Sequence, residues 1–379
     1  KWLPAEISFG DQSKEGAEAM RTYVPRKVSS CLANFLRAVT KPQRVYLLIY
    51  LVGLIWLVKF RSIREIASKY GQENTDGLHQ FMTASPKKNQ KLQSENRRQI
   101  AAACTGENTL LILDDTPCPR KGKKIEGLGI HHGADGFIQG LCAVTSILKI
   151  GSQRFCWAIR GYRPKGTCKT GTFKSKVQLA VEILTEAIQA LPVKPTVLMD
   201  AWYACAPILN PIVQAGWTFV AAVKRNRLVE ISGKKISLRH LAKGRRKYKT
   251  IRVSKKKYFR VAKLQVHLPK IGAVLLFISR SRKDGVRFFI TNNLKMTESQ
   301  MVALYLQRVW IETFHQDIKQ HLGFGEVFMR SWQGVQAHWT LVGIADNLIA
   351  LWNGNRSRSF RQMIRHFRDS IDLNAVLCL

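Results

Sequence analysis

Tyr305, Arg308, Glu312 and Lys319 follow one another at intervals of three, four and seven residues. On a helix turning about 100° per residue they share a stripe roughly 60° wide. A phenol, a guanidinium, a carboxylate and an ammonium on one face suit a phosphate-and-metal site better than a packed core. A solvated face with i,i+4 and i,i+7 charges has the same pattern, so the rest of the chain must decide. Carboxylates are scarce, 25 Asp plus Glu against 61 Lys plus Arg, and acids closing apolar runs therefore stand out. Residues 110–113 end in Asp114 and Asp115, and 196–199 end in Asp200. Asp114 or Asp115, with Asp200 and Glu312, supply oxygen ligands for two Mg²⁺ or Mn²⁺ ions and leave room for water and a phosphodiester. Such ions polarise the phosphate, help deprotonate water and stabilise a leaving 3′-oxygen. Phosphoryl transfer otherwise asks the protein for positioning and charge neutralisation. Arg308 offers phosphate a bidentate fork, Lys319 a point charge, and Tyr305 a hydrogen bond. The ending Asp-x-Thr116 favours Asp114 at the strand tip; Asp115 as ligand, cap or supporting residue stays open.

Positioning these groups requires one helix and two neighbouring strands. Thr297 with Gln300 makes a capping box, Gly323 a stop, and Val302, Leu304, Trp310, Ile311, Phe314, Ile318 and Leu322 an apolar side. One continuous helix is expected between them. Upstream, the patterning predicts strands over 110–113, 137–150 and 154–162, a helix over 175–190, a strand over 196–199, a helix near 205–215 and a strand over 218–223. The first three strands can pair antiparallel; the helical crossovers force the later ones parallel. The fold class is α/β, a mixed sheet with flanking helices, its first and fourth strands side by side and each ending in aspartate.

Before this core, residues 1–105 read as an N-terminal helical, DNA-binding region. Two short helices, near 62–69 and 78–82, are separated by a break at Thr75-Asp76-Gly77. Residues 224–287 hold about twenty Lys and Arg and only two acids, Glu230 and Asp284, and read as an inserted basic β-subdomain. Its clusters Arg245-Arg246-Lys247 and Lys255-Lys256-Lys257 are the leading phosphate contacts. The core thus divides into 106–223 and 288–350, the second part carrying the Glu helix, and 351–379 is a basic helical tail.

A formal net charge of +36 over 379 residues points to a polyanionic partner, most often nucleic acid. An anionic membrane is disfavoured because the cations are spread over the chain, and the apolar run 45–58 is too short to span a bilayer. The eight scattered cysteines form no CxxC pair and read as buried, reduced thiols of a cytoplasmic protein. A chain opening on Lys1 fits a trimmed or partial reading frame. His131 and His132 diverge on a strand. Trp202 is read as core in preference to a base-stacking role, Trp310 as packed on the sheet, Asp317 as solvated, and Glu326 as an acid off the stripe.

The spacing Tyr305-x2-Arg308-x3-Glu312-x6-Lys319 resembles the Y-R-E-K signature of bacterial insertion-sequence DDE transposases. Leu-Ile-Leu-Asp114-Asp115-Thr116-Pro followed by Lys121-Gly-Lys, and Val-Leu-Met-Asp200-Ala-Trp202-Tyr203, resemble that family's two aspartate segments. His321-Leu-Gly323-Phe, Arg330-Ser-Trp332 and His338-Trp-Thr-Leu resemble its C-terminal region, so the likeness spans about 60–350. Pro117-Cys118-Pro119 departs from it. The resemblance implies an RNase H-like core with a β-rich insertion between the second Asp and the Glu. It implies a transposase that cuts at transposon ends and joins the freed 3′-OH to target DNA. Some members pass through a hairpin intermediate. It assigns Asp114 or Asp115, Asp200 and Glu312 to metal, and Tyr305, Arg308 and Lys319 to DNA. The partner it implies is double-stranded DNA, transposon ends and target, and two ends to be held imply a homodimer. A non-mobile nuclease and an inactive DNA-binding descendant are the alternatives.

Overall fold

The computed structural model describes residues 24–104, 106, 108–122, 124–133, 136–244, 247–254, 257–281, 285–354 and 357–379. Among the described residues five helices come first: α1 (Arg26–Arg37), α2 (Lys41–Trp56), α3 (Ile63–Tyr70), α4 (Thr75–Thr83) and α5 (Pro86–Ala102). Next come β1 (Leu110–Pro119), β2 (Gly129–Gly133), β3 (Gly136–Ile150), β4 (Gln153–Tyr162), α6 (Lys176–Ala190), β5 (Thr196–Met199), α7 (Ala206–Gln214) and β6 (Thr218–Val223). The basic region gives β7 (Leu228–Ile231), β8 (Lys234–Ser237), α8 (Leu238–Gly244), β9 (Lys249–Ser254), β10 (Lys257–Leu268), β11 (Gly272–Ser281) and β12 (Gly285–Thr291). The chain then runs through α9 (Glu298–Leu306), α10 (Val309–His321), α11 (Trp332–Asn353), α12 (Phe360–Ser370) and α13 (Leu373–Leu377).

The strand order is the expected RNase H-like one. β1 pairs antiparallel with β3, and β3 with β4. β5 joins β1 in parallel, and β6 joins β5 in parallel, as crossovers through α6 and α7 require. The basic strands do not form a separate sheet. β12 pairs antiparallel with β6, and β11, β10 and β7 follow in turn, so the insertion extends the core sheet.

Alternation along the strands divides the interior into two layers. Leu110 and Ile112 of β1, Leu198 of β5 and Val220 of β6 pack on the side of α2, α10 and α11. Leu111, Leu113, Val197, Met199 and Phe219 pack on the side of α6 and α7. The apolar helix α2 is buried from Leu47 to Ile55 in the first layer, which accounts for a run too short for a membrane. No helix among the described residues is long and apolar enough to cross one.

Three local expectations are corrected. Thr75-Asp76-Gly77 does not break a helix; it is the first turn of α4, capped by the Asn74 side chain on the Gly77 N–H (2.8 Å). β1 does not end at Leu113, because β3 pairs with it as far as Pro119. Asp114 and Asp115 therefore lie inside a strand, at the level where β5 stops. The helix expected from Thr297 onward is two helices, α9 and α10, meeting at Gln307 and Arg308.

The close packing of α2 on α3 leaves no room beside Gly53. A Cβ there would lie 2.6–2.8 Å from three atoms of Ile66. Gly53→Ala is expected to destabilise the protein by about 1–3 kcal/mol through overpacking. Urea titration measures this; an unchanged midpoint would show that the two helices separate without cost.

Candidate active site

The register of β1 against β5 sets the geometry. Leu113 lies opposite Met199, so Asp114 and Asp200 leave adjacent strands at the same level. Each follows a residue facing α6 and α7, and each therefore turns to the α10 layer. There Arg308, at the join of α9 and α10, donates to Asp114 Oδ2 and, at 3.2 Å, to Glu312 Oε1. Asp114 Oδ1 also accepts from the Asp115 N–H (2.9 Å). Burial pushes the Asp114 carboxyl up to about 6, with Arg308 working against the shift and the neighbouring Asp200 adding to it. Burial would lower the Arg308 pKa, but Asp114, Tyr305, Asp200 and Glu312 together raise it. One guanidinium is thus the shared counter-charge of three carboxylates distant in sequence.

Asp200 is fixed through its own turn: its Oδ1 accepts from the N–H groups of Trp202 (2.9 Å) and Tyr203 (3.3 Å). Glu312 is the exposed member, its side chain 55% accessible. Among the described residues, no three His, Cys, Asp or Glu side chains are gathered closely enough, as they stand, to hold a metal ion. Asp114, Asp200 and Glu312 offer only oxygen donors, the set that Mg²⁺ and Mn²⁺ take.

Asp115 faces the other layer. Lys176 at the start of α6 donates to its Oδ2 (2.6 Å), the Tyr203 hydroxyl to its Oδ1 (2.9 Å), and the Cys142 thiol lies 3.5 Å from Oδ2. Both of its oxygens are committed to packing α6 and the Asp200 turn against β1. Behind Asp114, His315 of α10 contacts Thr145 Oγ1 through Nε2 (2.7 Å), and that hydroxyl donates to the Asp114 carbonyl (3.2 Å). Burial pulls the His315 pKa down to about 3, and Lys319, Arg308 and Arg154 add to the effect. The ring is therefore neutral.

The Tyr305 ring packs tilted against Phe289, at an interplanar angle of 57° with ring centroids 4.4 Å apart. Burial raises its hydroxyl pKa and Arg308 opposes the shift. A cleft of about 280 Å³ opens here, with Tyr305, Arg308 and Glu312 on one wall and Phe289 and Arg287 of β12 on the other. Lys319 lies further along α10, half-buried near the thiols of Cys118 and Cys142. Burial lowers its pKa, and among the described residues it has no acidic partner. The stripe is thus drawn out along β1, with Tyr305, Arg308 and Glu312 at the aspartates and Lys319 beyond them.

Other expected residues fall differently. Asp317 is not solvated: Arg154 holds it at 2.8 Å, and Asp346 at 3.1 Å. Glu326 is paired with the buried Arg61 at 2.8 Å, away from the site. Trp202 is not core; it is 57% exposed. Trp310 is half-buried on the core, with Lys149 5.4 Å from its ring centroid. His131 is buried against the Gly140 carbonyl (3.1 Å), while His132 is exposed. Lys247 is exposed; Arg245, Arg246, Lys255 and Lys256, with the side chain of Lys257, lie outside the described residues. The sequence reading missed Lys176, Thr145, His315, Arg154 and Arg287. Lys176, Thr145, His315 and Arg154 gain meaning only from partners distant in sequence, and Arg287 only from the cleft it lines.

Residues 34–270 match the family described as DDE superfamily endonuclease. The match includes Asp114, Asp115 and Asp200 and stops short of the Tyr305–Lys319 stripe. A probable transposase for insertion sequence element IS701 from Microchaete diplosiphon is 28% identical over 186 residues, covering 48% of this chain and 49% of that protein. The chain thus aligns with about half the length of that relative. A piggyBac transposase, solved as a synaptic complex with hairpin DNA, superposes over 96% of this chain and 84% of its own, with a TM-score of 0.53 and 12% identity. At that identity the likeness is one of fold.

Proposed function

Because the chain belongs to the DDE superfamily endonucleases, we propose that it is a DNA transposase that cuts at the ends of an insertion sequence and joins them to target DNA. The observation that carries this reading is the convergence of Asp114, Asp200 and Glu312 on one cation, Arg308. Three carboxylates collected around a positive charge suit a site for divalent ions. Asp114 and Asp200 would hold Mg²⁺ or Mn²⁺ from the rigid strand edge, and Glu312 would close on it from α10. Bound there, two ions supply a polarised phosphate, an activated water and a stabilised leaving oxygen.

The chain's own groups do the rest. Arg308, with its fork geometry, is placed to exchange its carboxylate contacts for the phosphate beside the cut. Tyr305 hydrogen-bonds a phosphate oxygen, and Lys319 neutralises the backbone further along β1. Water attacks the phosphorus and the 3′-oxygen leaves as a 3′-OH; that 3′-OH then attacks a phosphodiester of the target in the same pocket, and the target's own 3′-oxygen leaves as the new P–O bond forms. The basic strands β7–β12 extend the sheet beside the cleft, and exposed Lys247, between α8 and β9, takes a phosphate of duplex DNA. Two ends must be cut together, so the working form is a homodimer.

The test is Mg²⁺-dependent nicking of a duplex carrying the inverted repeat that flanks the reading frame, followed by joining to a second DNA. Nicking without joining would support a non-mobile nuclease. DNA binding without cutting under Mg²⁺ or Mn²⁺ would support an inactive descendant. Asp115→Asn separates the two neighbouring aspartates. It leaves Lys176 without its charge partner and is expected to cost about 1–3 kcal/mol of stability while nicking persists. Loss of nicking in a folded Asp115→Asn protein would make Asp115 the ligand instead.

A further inference from the structure

Burying an indole would stabilise the fold by about 1.5–3 kcal/mol, yet Trp202 is 57% exposed. It is not loosely held. Its backbone N–H donates to Asp200 Oδ1 (2.9 Å), the next residue Tyr203 is fully buried and donates its hydroxyl to Asp115, and Arg227 donates to the Ala204 carbonyl (2.9 Å). A large aromatic group is thus presented to solvent by a rigid turn, two residues from a carboxylate of the site.

Lys224 comes from the adjacent strand. β6 runs parallel to β5 with Ala221 opposite Met199, so the Asp200 turn and the residues after Val223 emerge at the same edge of the sheet. The Lys224 Nζ lies 4.9 Å from the Trp202 ring centroid, and Arg225 beside it is exposed. No acid occurs between Asp200 and Glu230. An exposed aromatic ring within a positive edge is the combination that binds single-stranded nucleic acid: the ring stacks on a base and the cations take its phosphates.

We propose that Trp202 and Lys224 form a stacking subsite for one unpaired base of the DNA strand lying at the carboxylates. The indole supports the base, and Lys224 neutralises the phosphate of the same nucleotide. This rests on the DNA reading given above and assigns a new residue pair to it. A base within an intact duplex is covered on both faces, so the subsite favours a strand end or an opened step over paired DNA.

The experiment uses the full chain, fluorescent single-stranded and frayed oligonucleotides, and EDTA to prevent cutting. Trp202→Ala is expected to weaken binding about 5- to 100-fold, with the melting temperature unchanged and Trp202→Phe recovering most of the loss. Lys224→Gln is expected to lower the slope of log affinity against log salt by about 0.7. A 2-aminopurine moved along the strand should be quenched at one position by the wild type and not by Trp202→Ala. Equal binding by wild type and Trp202→Ala, or no recovery by Phe, overturns the subsite and leaves the DNA reading intact. A change of oligomeric state with unchanged DNA binding assigns the indole to an interface between copies and also overturns it. Failure of the wild type to bind any oligonucleotide overturns both.

Discussion

Asp200→Asn is expected to abolish Mg²⁺-dependent nicking, a loss of at least about 10³-fold, or about 4 kcal/mol in the barrier. Asn is the informative substitution. Its Oδ1 can still accept from the N–H groups of Trp202 and Tyr203, so the turn should hold while the charge disappears. Ala would remove both the charge and the turn, and lost activity could then reflect misfolding. Asp114→Asn should match it in magnitude, since its Oδ1 can still accept from the Asp115 N–H. The two losses should not add, because either one removes the same ion-binding unit. The measurement is a nicking time course with each single variant and the double variant, alongside a melting curve. Nicking within tenfold of wild type in a folded Asp200→Asn protein would end the carboxylate reading.

Arg154→Ala is expected to cost about 3–5 kcal/mol of stability, among the largest effects of any single change outside the cleft. Arg154 projects from β4 between the rings of Phe314 and Phe360, each 5.4 Å away. It pairs with Asp317 of α10 and the buried Asp346 of α11. Removing it strands two carboxylates in the layer that carries Glu312. The pH dependence has a definite sign. Burial pushes Asp346 up to about 6, above its ordinary 3.8, with Arg154 opposing the shift. A raised carboxyl pKa means that the folded state binds the proton more tightly, so this group's contribution falls as pH rises from about 4 through 6. Without Arg154 the pKa rises further. The cost of Arg154→Ala should therefore be larger at pH 8 than at pH 5, where Asp346 can protonate. Urea titrations of both proteins at the two pH values decide this; equal costs would mean that the carboxylates find other partners. Since α10 also bears Glu312, residual nicking at low temperature should fall too.

The match to the endonuclease family ends at residue 270, before α9 and α10, which carry the remainder of the proposed site. The assignment of Tyr305, Arg308, Glu312 and Lys319 therefore rests on spacing and on where α9 and α10 lie. The join at Gln307 and Arg308 matters here. A single straight helix would have put all four side chains on one stripe. Arg308, at the join, bonds both Asp114 and Glu312, while Lys319 lies about two turns beyond Glu312 along α10.

What the sequence by itself determined was local and periodic. Apolar runs bounded by polar residues marked the strands, helical spacing and caps marked α6 and α9, and the order of elements dictated which strands run parallel. Scarcity of acids in a very basic chain singled out Asp114, Asp115, Asp200 and Glu312 before any contact was known. Only the tertiary structure set the two adjacent aspartates apart, Asp114 bonded to Arg308 and Asp115 to Lys176 and Tyr203, because their difference is the face of a strand, and that depends on which layer packs on each side. It also decided that Trp202 is open while Asp317 is paired. Exposure and ion pairing are properties of neighbours brought from elsewhere in the chain, β6 for the one and β4 for the other, and no local pattern encodes them.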